Sequence, residues 1–397
     1  MFRLVPRLAL AALIASGVVS ACGHPAKPVK HAKSKEQKRD ARALLAEARD
    51  DAKNGEYDAA DKAYAEAYGL GKEFDVLEER VDFLIHAGRA SKAVEAAKTY
   101  YDANVSDTKG YALYAEALLA ANKGSEALEV AEQMVQLNGD DPNGHEKKGR
   151  ALVLIDKQDD GLDELRKAVH LESNNATYHI SLGNALIKAQ KVDEAALEFR
   201  AALKYANDDA DAHVLLGQAL RMQSEFDEAK SYLDKAIEID PRSGRAYFEL
   251  GLLYNAEKKQ ADAEVALSKA VQLSPNESLF WYAYGEIFRL SERFDDAISA
   301  YKKAVDLDPP YPKALTKLGL LLTERKQYDD AEIVLTQAIR REPKNAVNYL
   351  PLGVVYAAKR KNKQAIDSYQ KFLDFAPKSD PDRGRAKEAI SELKQRR

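Results

Sequence analysis

The side chains of this 397-residue chain that could do chemistry on a ligand are a few histidines and one cysteine. His145, His179 and His213 follow one another at a constant step of 34 residues, which could indicate a ladder of metal ligands. Neighbouring packed helices lie roughly 10 Å apart, whereas the ligands of one zinc ion each lie about 2 Å from it. One ion therefore cannot bridge successive steps, and we interpret the three histidines as packing residues.

No sequence pattern of an enzyme accompanies these histidines. The sequence has no glycine-rich phosphate loop, no nucleophile elbow and no cluster of His, Asp and Glu outside the repeating register described below. The net charge of -4 argues against nucleic acid as the main partner, because nucleic-acid-binding domains carry a strong basic excess. A single cysteine excludes a disulfide framework or a cysteine-based metal site within one chain. We therefore predict a non-enzymatic protein with no catalytic residue, metal, cofactor or small-molecule substrate.

The single cysteine, Cys22, ends a segment with the composition of an export signal. Arg3 and Arg7 precede an apolar run over 8–19, which is short for a membrane-spanning helix, and small residues follow it. The ending Val19-Ser20-Ala21-Cys22 resembles a lipobox, in which a diacylglycerol is attached to the cysteine thiol before cleavage ahead of it. We predict a lipoprotein signal peptide over 1–21 and lipidation of Cys22. The alternative is ordinary signal-peptidase cleavage after Ala21.

Residues 22–40 form a basic segment between this signal and the rest of the chain. The segment has two prolines and six cations and cannot bury a core, so we predict a disordered tether. Its cations either attract anionic lipid head groups or belong to a solvated spacer. In the sorting of enterobacterial lipoproteins, an aspartate after the cysteine retains the protein at the inner membrane. By that resemblance, Gly23 predicts a lipid-anchored protein of the outer membrane that faces the periplasm.

The strongest pattern in the chain is a set of seven glycines at a fixed interval of 34 residues. Glycine costs about 1 kcal/mol relative to alanine inside a helix, so its recurrence at one phase needs a steric cause. We expect that one helix approaches its neighbour too closely at these points for a side chain to fit. The glycines are Gly149, Gly183, Gly217, Gly251, Gly285, Gly319 and Gly353.

The positions that follow each glycine are periodic as well. Most steps have alanine twelve residues after the glycine and a large residue sixteen after it, and the later steps have proline 24 after it. Apolar spacings of three, four and seven predict two amphipathic helices in each step, and the proline ends the second helix. The pattern resembles the tetratricopeptide-repeat (TPR) signature, which stands here as Trp281-x-x-Tyr284-Gly285-x-x-Phe288 followed by Ala297, Tyr301, Ala304 and Pro309.

The resemblance implies an all-α fold, a TPR solenoid that forms a right-handed superhelix of about ten helix-turn-helix repeats. A polar capping helix is expected over 380–397, because the end of a solenoid exposes one face. Ala115, Val81 and Ala48 take the place of glycine upstream. The fourth repeat departs from the pattern at Lys148, Gly161 and Ser173, so its packing is expected to be looser. The ten predicted repeats are 41–73, 74–107, 108–141, 142–175, 176–209, 210–243, 244–277, 278–311, 312–345 and 346–379.

In the TPR family the first helices of the repeats line a groove that captures protein segments. The resemblance places an apolar and aromatic patch rimmed by arginines in the seventh and eighth repeats, which suits an amphipathic helix or an extended segment. Alternatively, Phe248 and Tyr282 only pack on adjacent repeats. The family's carboxylate clamp needs lysine and asparagine at set positions of the groove. Asn184 stands where the asparagine would, but Ile180 and Leu215 occupy the partner positions, so the clamp is absent. The groove candidates are Asn184, Arg221, Phe248, Leu252, Asn255, Leu279, Tyr282, Glu286 and Arg289.

Two functions follow from the resemblance and the export signal. The first is a lipid-anchored scaffold that binds envelope proteins or their segments and assembles an outer-membrane machine for secretion, pilus formation or polysaccharide export. The alternative is an accessory subunit that recruits or regulates a cell-wall or glycan enzyme. The sequence does not identify the partner.

Overall fold

The computed structural model describes residues 30–307 and 311–395, with only the backbone over 30–39. Every regular element of these residues is a helix, and the chain divides after Ala103 into two compact units. The first unit contains four helices in two antiparallel pairs. They are α1 (Lys30–Asn54), α2 (Tyr57–Gly71), α3 (Phe74–His86) and α4 (Ala90–Ala103).

The second unit continues with further helix pairs and ends with a single helix, so the predicted all-α solenoid is confirmed. A short 3₁₀ turn, Ala346–Asn348, precedes α19. The helices are α5 (Thr108–Ala120), α6 (Gly124–Leu137), α7 (Pro142–Leu154), α8 (Gln158–Leu171), α9 (Ala176–Lys188), α10 (Val192–Tyr205), α11 (Ala210–Met222), α12 (Phe226–Ile239), α13 (Gly244–Ala256), α14 (Gln260–Leu273), α15 (Ser278–Leu290), α16 (Phe294–Asp306), α17 (Pro312–Glu324), α18 (Tyr328–Arg341), α19 (Tyr349–Ala358), α20 (Asn362–Phe375) and α21 (Arg383–Gln395).

The starts of the first helices recur because a side chain caps them. Asp107 accepts a hydrogen bond from the backbone N–H of Lys109, and Asp141 accepts one from that of Asn143. Such a cap satisfies one of the backbone donors that an α-helix leaves free at its N-terminus. The same role, one repeat apart each time, belongs to Asn175, Asp209 and Ser243, and it returns at Asn345.

The turn between the two helices of each repeat requires one residue in the left-handed backbone region. In every repeat from the third to the tenth this residue is not glycine, and its φ lies between 58° and 66°. The residues are Asn122, Asp156, Gln190, Ser224, Lys258, Glu292, Lys326 and Arg360. In the first unit the corresponding turns have glycine instead, at Gly55 and Gly88.

The repeated glycines lie where the two helices of a repeat approach each other, as the sequence predicts. A Cβ atom on Gly251 of α13 would lie 2.6 Å from Cγ of Leu267 on α14, and one on Gly285 of α15 would lie 2.7 Å from the ring of Tyr301 on α16. Carbon atoms need about 3.5 Å or more. Each glycine therefore accommodates the large residue sixteen positions later.

The fourth repeat is more closely packed than the sequence predicts. Its departure from the pattern, Gly161 on α8, lies against Gly149 on α7, where other repeats have glycine facing alanine. With no side chain on either residue, the two backbones approach directly. The expectation of looser packing here was therefore wrong.

The first helix also differs from the prediction for the basic segment. α1 begins at Lys30, so residues 30–40 are helical rather than part of a disordered tether. Lysine, alanine, glutamine and glutamate dominate this stretch and favour helix. The predicted signal peptide, Cys22 and the segment 22–29 lie outside the described residues. Of the helices that the structure describes, none is long and apolar enough to cross a membrane.

Candidate functional site

We call one side of the second unit the groove face. It is formed by the residues of the first helices that face away from the second helices, and these first helices are α5, α7, α9, α11, α13, α15, α17 and α19. The structure places the nine predicted groove residues on four of these helices. Asn184 and Leu279 are exposed. Six are half-buried, namely Arg221, Leu252, Asn255, Tyr282, Glu286 and Arg289. Phe248 is buried, with 5% of its surface exposed.

Phe248 therefore differs from the prediction of a partner-contacting ring. Its ring stacks on that of Phe280 in the next first helix, with centroids 4.3 Å apart and an angle of 16° between the planes. Other repeats have alanine at the position of Phe280, namely Ala212, Ala246 and Ala314. The larger ring of Phe280 covers Phe248, which an alanine is too small to do. The packing alternative holds for this residue.

Tyr282 lies at the centre of the predicted patch and is also partly engaged. Its ring lies 4.7 Å from that of Tyr311 and 5.9 Å from that of Tyr301. Burial raises the pKa of Tyr282 to about 12, so its hydroxyl remains protonated at neutral pH. Tyr282 is half-buried, so part of its side chain remains exposed.

The carboxylate of Glu286 gathers the polar groups around this aromatic patch. It accepts hydrogen bonds from Arg289 Nη2 at 3.0 Å and from the hydroxyl of Tyr301, and Lys317 Nζ lies 3.6 Å away. Burial alone would raise the pKa of Glu286, but these donors lower it below its usual value. Arg289 is therefore held against its own helix rather than extended from the rim.

Arg221 is likewise paired within the protein. Its Nε and Nη2 atoms donate to one oxygen of Glu249 at 3.1 and 3.0 Å. Burial raises the pKa of Glu249, although the charge of Arg221 opposes the shift. The pair joins α11 to α13 and leaves little of the guanidinium for a partner.

A second cluster of charges, which the sequence did not reveal, lies on α5, α7 and α9. Glu116 accepts hydrogen bonds from Lys147 at 2.6 Å and from both terminal nitrogens of Arg150 at 2.7 and 2.9 Å. Glu146 is fully buried and contacts Lys147 at 2.9 Å, Arg150 at 3.1 Å and the hydroxyl of Ser181 at 2.6 Å. The cluster thus joins the first helices of three successive repeats.

The electrostatics of this cluster keep all four charged groups ionised. Burial would raise the pKa of Glu116, but the neighbouring charges of Lys147 and Arg150 lower it to about 2. The same two cations lower the pKa of Glu146 against the effect of its burial. A buried carboxylate is tolerated only when it is paired and hydrogen-bonded. The arrangement fixes the guanidinium of Arg150 in one orientation.

A cleft of about 440 Å³ opens beside Arg150 and includes the predicted groove residue Asn184. Its apolar lining comes from α5, α7 and α9, with Leu165 of α8 beneath. Lys188 stands at one end, where its Nζ donates to the carbonyl oxygen of Val153 at 2.6 Å. Thr177 and Ser181 add hydroxyl groups. The other lining residues are Leu119, Val153, Leu154, Ile180 and Ala185.

The three histidines have the packing role that the sequence analysis preferred. Their Nε2 atoms lie 2.9 to 3.0 Å from the carbonyl oxygen six residues earlier, at Gly139, Ser173 and Asn207. Trp281 and Tyr349, at the same repeat position, donate to the carbonyls of Pro275 and Pro343 in the same way. Among the side chains that the structure describes, over 40–307 and 311–395, no three His, Cys, Asp or Glu gather as metal ligands would.

The comparisons with known proteins concern the fold and the repeat. Residues 255–383 match the family described as "Cytochrome c-type biogenesis protein H TPR domain", and residues 180–243 and 223–278 match a tetratricopeptide repeat family. The comparison with curated proteins found no match.

Three solved structures resemble the chain at low sequence identity. Yeast Tom70 is 16% identical over 90% of this chain and 96% of its own, with a TM-score of 0.51. The APC/C hetero-tetramer Cut9-Hcn1 is 15% identical over 84% of this chain and 58% of its own, with a TM-score of 0.56. Human IFIT1 with m7Gppp-AAAA is 16% identical over 88% of this chain and 95% of its own, with a TM-score of 0.52.

The fold and the groove face define an α-solenoid protein built from tandem helix pairs. Within that class, the family matches and the 34-residue register identify the chain as a tetratricopeptide-repeat protein, a fold that supports protein–protein interaction.

Proposed function

We propose that this protein is a scaffold that binds a segment of a partner protein on its groove face, with the cleft of α5, α7 and α9 as the main contact. The observation that carries the proposal is the cleft itself. Its volume falls in the range typical of ligand pockets, and it combines an apolar lining with a few fixed polar groups. Such a site accepts one or two apolar side chains and hydrogen-bonds the adjoining backbone.

The groups around the cleft are set in place before a partner arrives. Glu116 and Glu146 hold Arg150, while the exposed amide of Asn184 remains available for a partner's backbone. Preorganised polar groups favour binding because little conformational freedom is lost on association. The aromatic patch around Tyr282 offers a second, weaker contact farther along the same face.

A photo-crosslinking residue at Thr177, on the cleft, tests this proposal, and one at Leu197 of α10 is the matched control. Both residues are exposed, but only Thr177 lines the cleft. We expect one partner to be crosslinked from Thr177 and not from Leu197. Asn184→Trp, which fills the cleft from an exposed position, should abolish the crosslink and the binding of the purified partner. Equal labelling from both sites, or full binding by Asn184→Trp, would contradict the proposal.

We also propose that the scaffold is lipid-anchored through Cys22 and works in the bacterial envelope, where it assembles an outer-membrane machine. The sequence Val19-Ser20-Ala21-Cys22 after an apolar run supports the lipid anchor. The residue after the cysteine is Gly23 rather than aspartate, which supports the outer membrane. The match to a family named for cytochrome c-type biogenesis favours a role in the maturation of another protein. The alternative, an accessory subunit of a glycan enzyme, would use the same groove face.

The anchor has a direct test. Cys22→Ala should release the protein from the membrane fraction and remove the mass of the lipid. If the variant stays in the membrane fraction with an unchanged mass, the chain is not lipidated at this residue. Partner binding at the cleft can fail or succeed independently of this result.

A further inference from the structure

A second depression of the surface, larger than the cleft, lies along the second helix of repeat seven. It encloses about 660 Å³ and is lined by residues of α13, α14 and α15. We call it the tyrosine furrow, because three half-buried tyrosines, Tyr247, Tyr254 and Tyr284, line it. Most of its lining belongs to α14, whereas the groove face is formed by first helices. The other lining residues are Leu250, Asp262, Glu264, Val265, Ala266, Ser268, Lys269 and Gln272.

Two of the tyrosines follow one side of α13. Tyr247 and Tyr254 are seven residues apart, which is about two turns of an α-helix, and Leu250 lies between them on the same side. At a rise of 1.5 Å per residue, the two positions lie about 10.5 Å apart along the helix axis. Val265 of α14 lines the furrow with 72% of its surface exposed. The furrow is therefore an apolar strip with two aromatic rings a fixed distance apart.

The packing of the repeats does not require these tyrosines. Only the seventh and tenth repeats have tyrosine at the positions of both Tyr247 and Tyr254. The two rings offer what leucine cannot, namely a flat aromatic face and a hydroxyl group. Six other repeats have leucine at the position of Tyr254, and these residues are Leu84, Leu118, Leu152, Leu186, Leu220 and Leu322.

Repeat ten has a smaller furrow at the corresponding place, of about 380 Å³. Cations of the protein itself lie over its rings, because Lys371 Nζ is 6.0 Å from the ring centre of Tyr349 and Lys361 Nζ is 5.4 Å from that of Tyr356. The hydroxyl of Tyr349 also donates to the carbonyl oxygen of Pro343 at 2.7 Å. Both tyrosines of repeat ten are thus engaged within the protein.

The corresponding groups of repeat seven are arranged differently. Lys259, at the position of Lys361, is held by Glu257 at 2.9 Å. Val265 replaces Asp367, the carboxylate that lies 3.2 Å from Lys371 in repeat ten. Among the residues that the structure describes, the hydroxyl of Tyr247 has no hydrogen-bond partner. The rings of the tyrosine furrow are therefore more open to a ligand than those of repeat ten.

A segment in the polyproline II conformation matches the spacing of the two rings. Such a segment has three residues per turn and rises about 3.1 Å per residue, so prolines three residues apart lie about 9 Å apart on one side. Proline-rich segments dock in aromatic-lined grooves. They have no internal hydrogen bonds, so their carbonyl oxygens accept from the groove. The donors here are Lys269, Gln272 and the tyrosine hydroxyls.

The charges of the furrow favour a basic residue beside the prolines. Glu264 pairs with Arg293 of α16 at 2.7 Å, so the exposed Asp262 is the carboxylate that a partner's cation would meet. We propose that the tyrosine furrow binds a proline-rich segment of a partner protein, with prolines three residues apart and a lysine or arginine next to them. This second site does not depend on occupation of the cleft.

A peptide-display library tests the proposal with the full chain as bait. Each peptide has a fixed Pro-x-x-Pro core surrounded by random residues, and the control library has alanine in place of both prolines. We expect enrichment from the proline library alone, with lysine or arginine next to the core in the enriched peptides. No enrichment over the alanine library overturns the proposal.

Tyr254→Leu and Tyr356→Leu are matched variants, because other repeats have leucine at this position. A synthetic peptide of the enriched sequence should bind Tyr254→Leu about tenfold more weakly than the wild type, and Tyr356→Leu with unchanged affinity. Asp262→Asn should weaken binding about two- to fivefold. Full binding by Tyr254→Leu, or an equal loss in both tyrosine variants, contradicts the assignment.

Two further variants keep the test independent of folding and of the cleft. Val265→Lys changes an exposed residue, so it should weaken binding of the basic peptide without disturbing the core. Asn184→Trp, which fills the cleft, should bind the peptide as the wild type does. Full binding by Val265→Lys, or loss of binding in Asn184→Trp, would place the peptide elsewhere and overturn the proposal.

Discussion

Gly149 on α7 and Gly161 on α8 face each other so closely that a Cβ on either would lie 2.8 Å from the carbonyl oxygen of the other. At Gly217 and Gly251 the nearest backbone atom would lie 3.3 Å from the added Cβ, behind the closer leucine side chain. At Gly149 the Cβ would meet Leu165 Cγ at 2.6 Å and also the backbone oxygen of Gly161 at 2.8 Å, which cannot move without separating the helices. The fourth repeat, next to the cleft, is therefore the most sensitive to an added methyl group.

Gly149→Ala should destabilise the protein. Overpacking costs about 1–3 kcal/mol, and the better helix propensity of alanine offsets up to about 1 kcal/mol of that. We expect a net loss of about 1–2 kcal/mol in the free energy of unfolding, measured by urea denaturation followed by circular dichroism. Gly69→Ala in α2 is the control, because nothing lies within 4 Å of its added Cβ. A Gly149→Ala protein as stable as Gly69→Ala would refute the steric explanation of the glycines.

Ser224→Gly should stabilise the protein, because residue 224 has a φ of 66° in the turn between α11 and α12. A side chain in the left-handed region costs roughly 1–2 kcal/mol, and the greater flexibility of unfolded glycine removes part of the gain. We expect an increase of about 0.5–1 kcal/mol in the free energy of unfolding.

Ala256→Gly at the end of α13 is the control for this substitution. The change adds the same flexibility at a helical residue, so it should lower stability. If both glycines destabilise to the same extent, the turn is not strained.

The repeat register could be read from the sequence because it rests on local sterics and turn chemistry. Glycine at a helix crossing and proline after the second helix act through their own backbone. The 34-residue period is therefore visible in this one sequence. The groove contacts depend on which side chains of adjacent repeats meet. Phe280 stands where other repeats have alanine, and only the structure shows that it covers Phe248. The pairing of Glu146 with Ser181 joins separate repeats and leaves no periodic signal.

Glu116→Gln should flatten the acid dependence of stability. The pKa of Glu116 is lowered to about 2 in the folded protein, against roughly 4.3 in an unfolded chain. The unfolded state therefore binds more protons between these values, so the stabilisation is present above about pH 4.3 and is lost as the pH falls toward 2. We expect the free energy of unfolding of the wild type to fall more steeply over this range than that of the variant.

The control for the acid experiment is Glu238→Gln, at an exposed glutamate of α12 whose ion pair in the described part of the chain is with Lys235 on the same helix. Exposed pairs contribute little to stability, so this variant should keep the wild-type slope. A wild-type slope in Glu116→Gln as well would show that the buried cluster is not the origin of the acid sensitivity.

Asn348→Ala should stabilise the tenth repeat. Asn348 is fully buried at the end of the 3₁₀ turn, and neither atom of its amide has a hydrogen-bond partner in the described part of the chain. Ala246 and Ala314 occupy the same repeat position, so alanine fits this backbone. An unpaired buried polar group costs about 1–3 kcal/mol, and the small cavity left by the substitution returns part of that. We expect the free energy of unfolding to rise by about 1 kcal/mol, and Asn348→Asp, which buries a charge, to lower it. A loss of stability in Asn348→Ala would mean that the amide is hydrogen-bonded in solution.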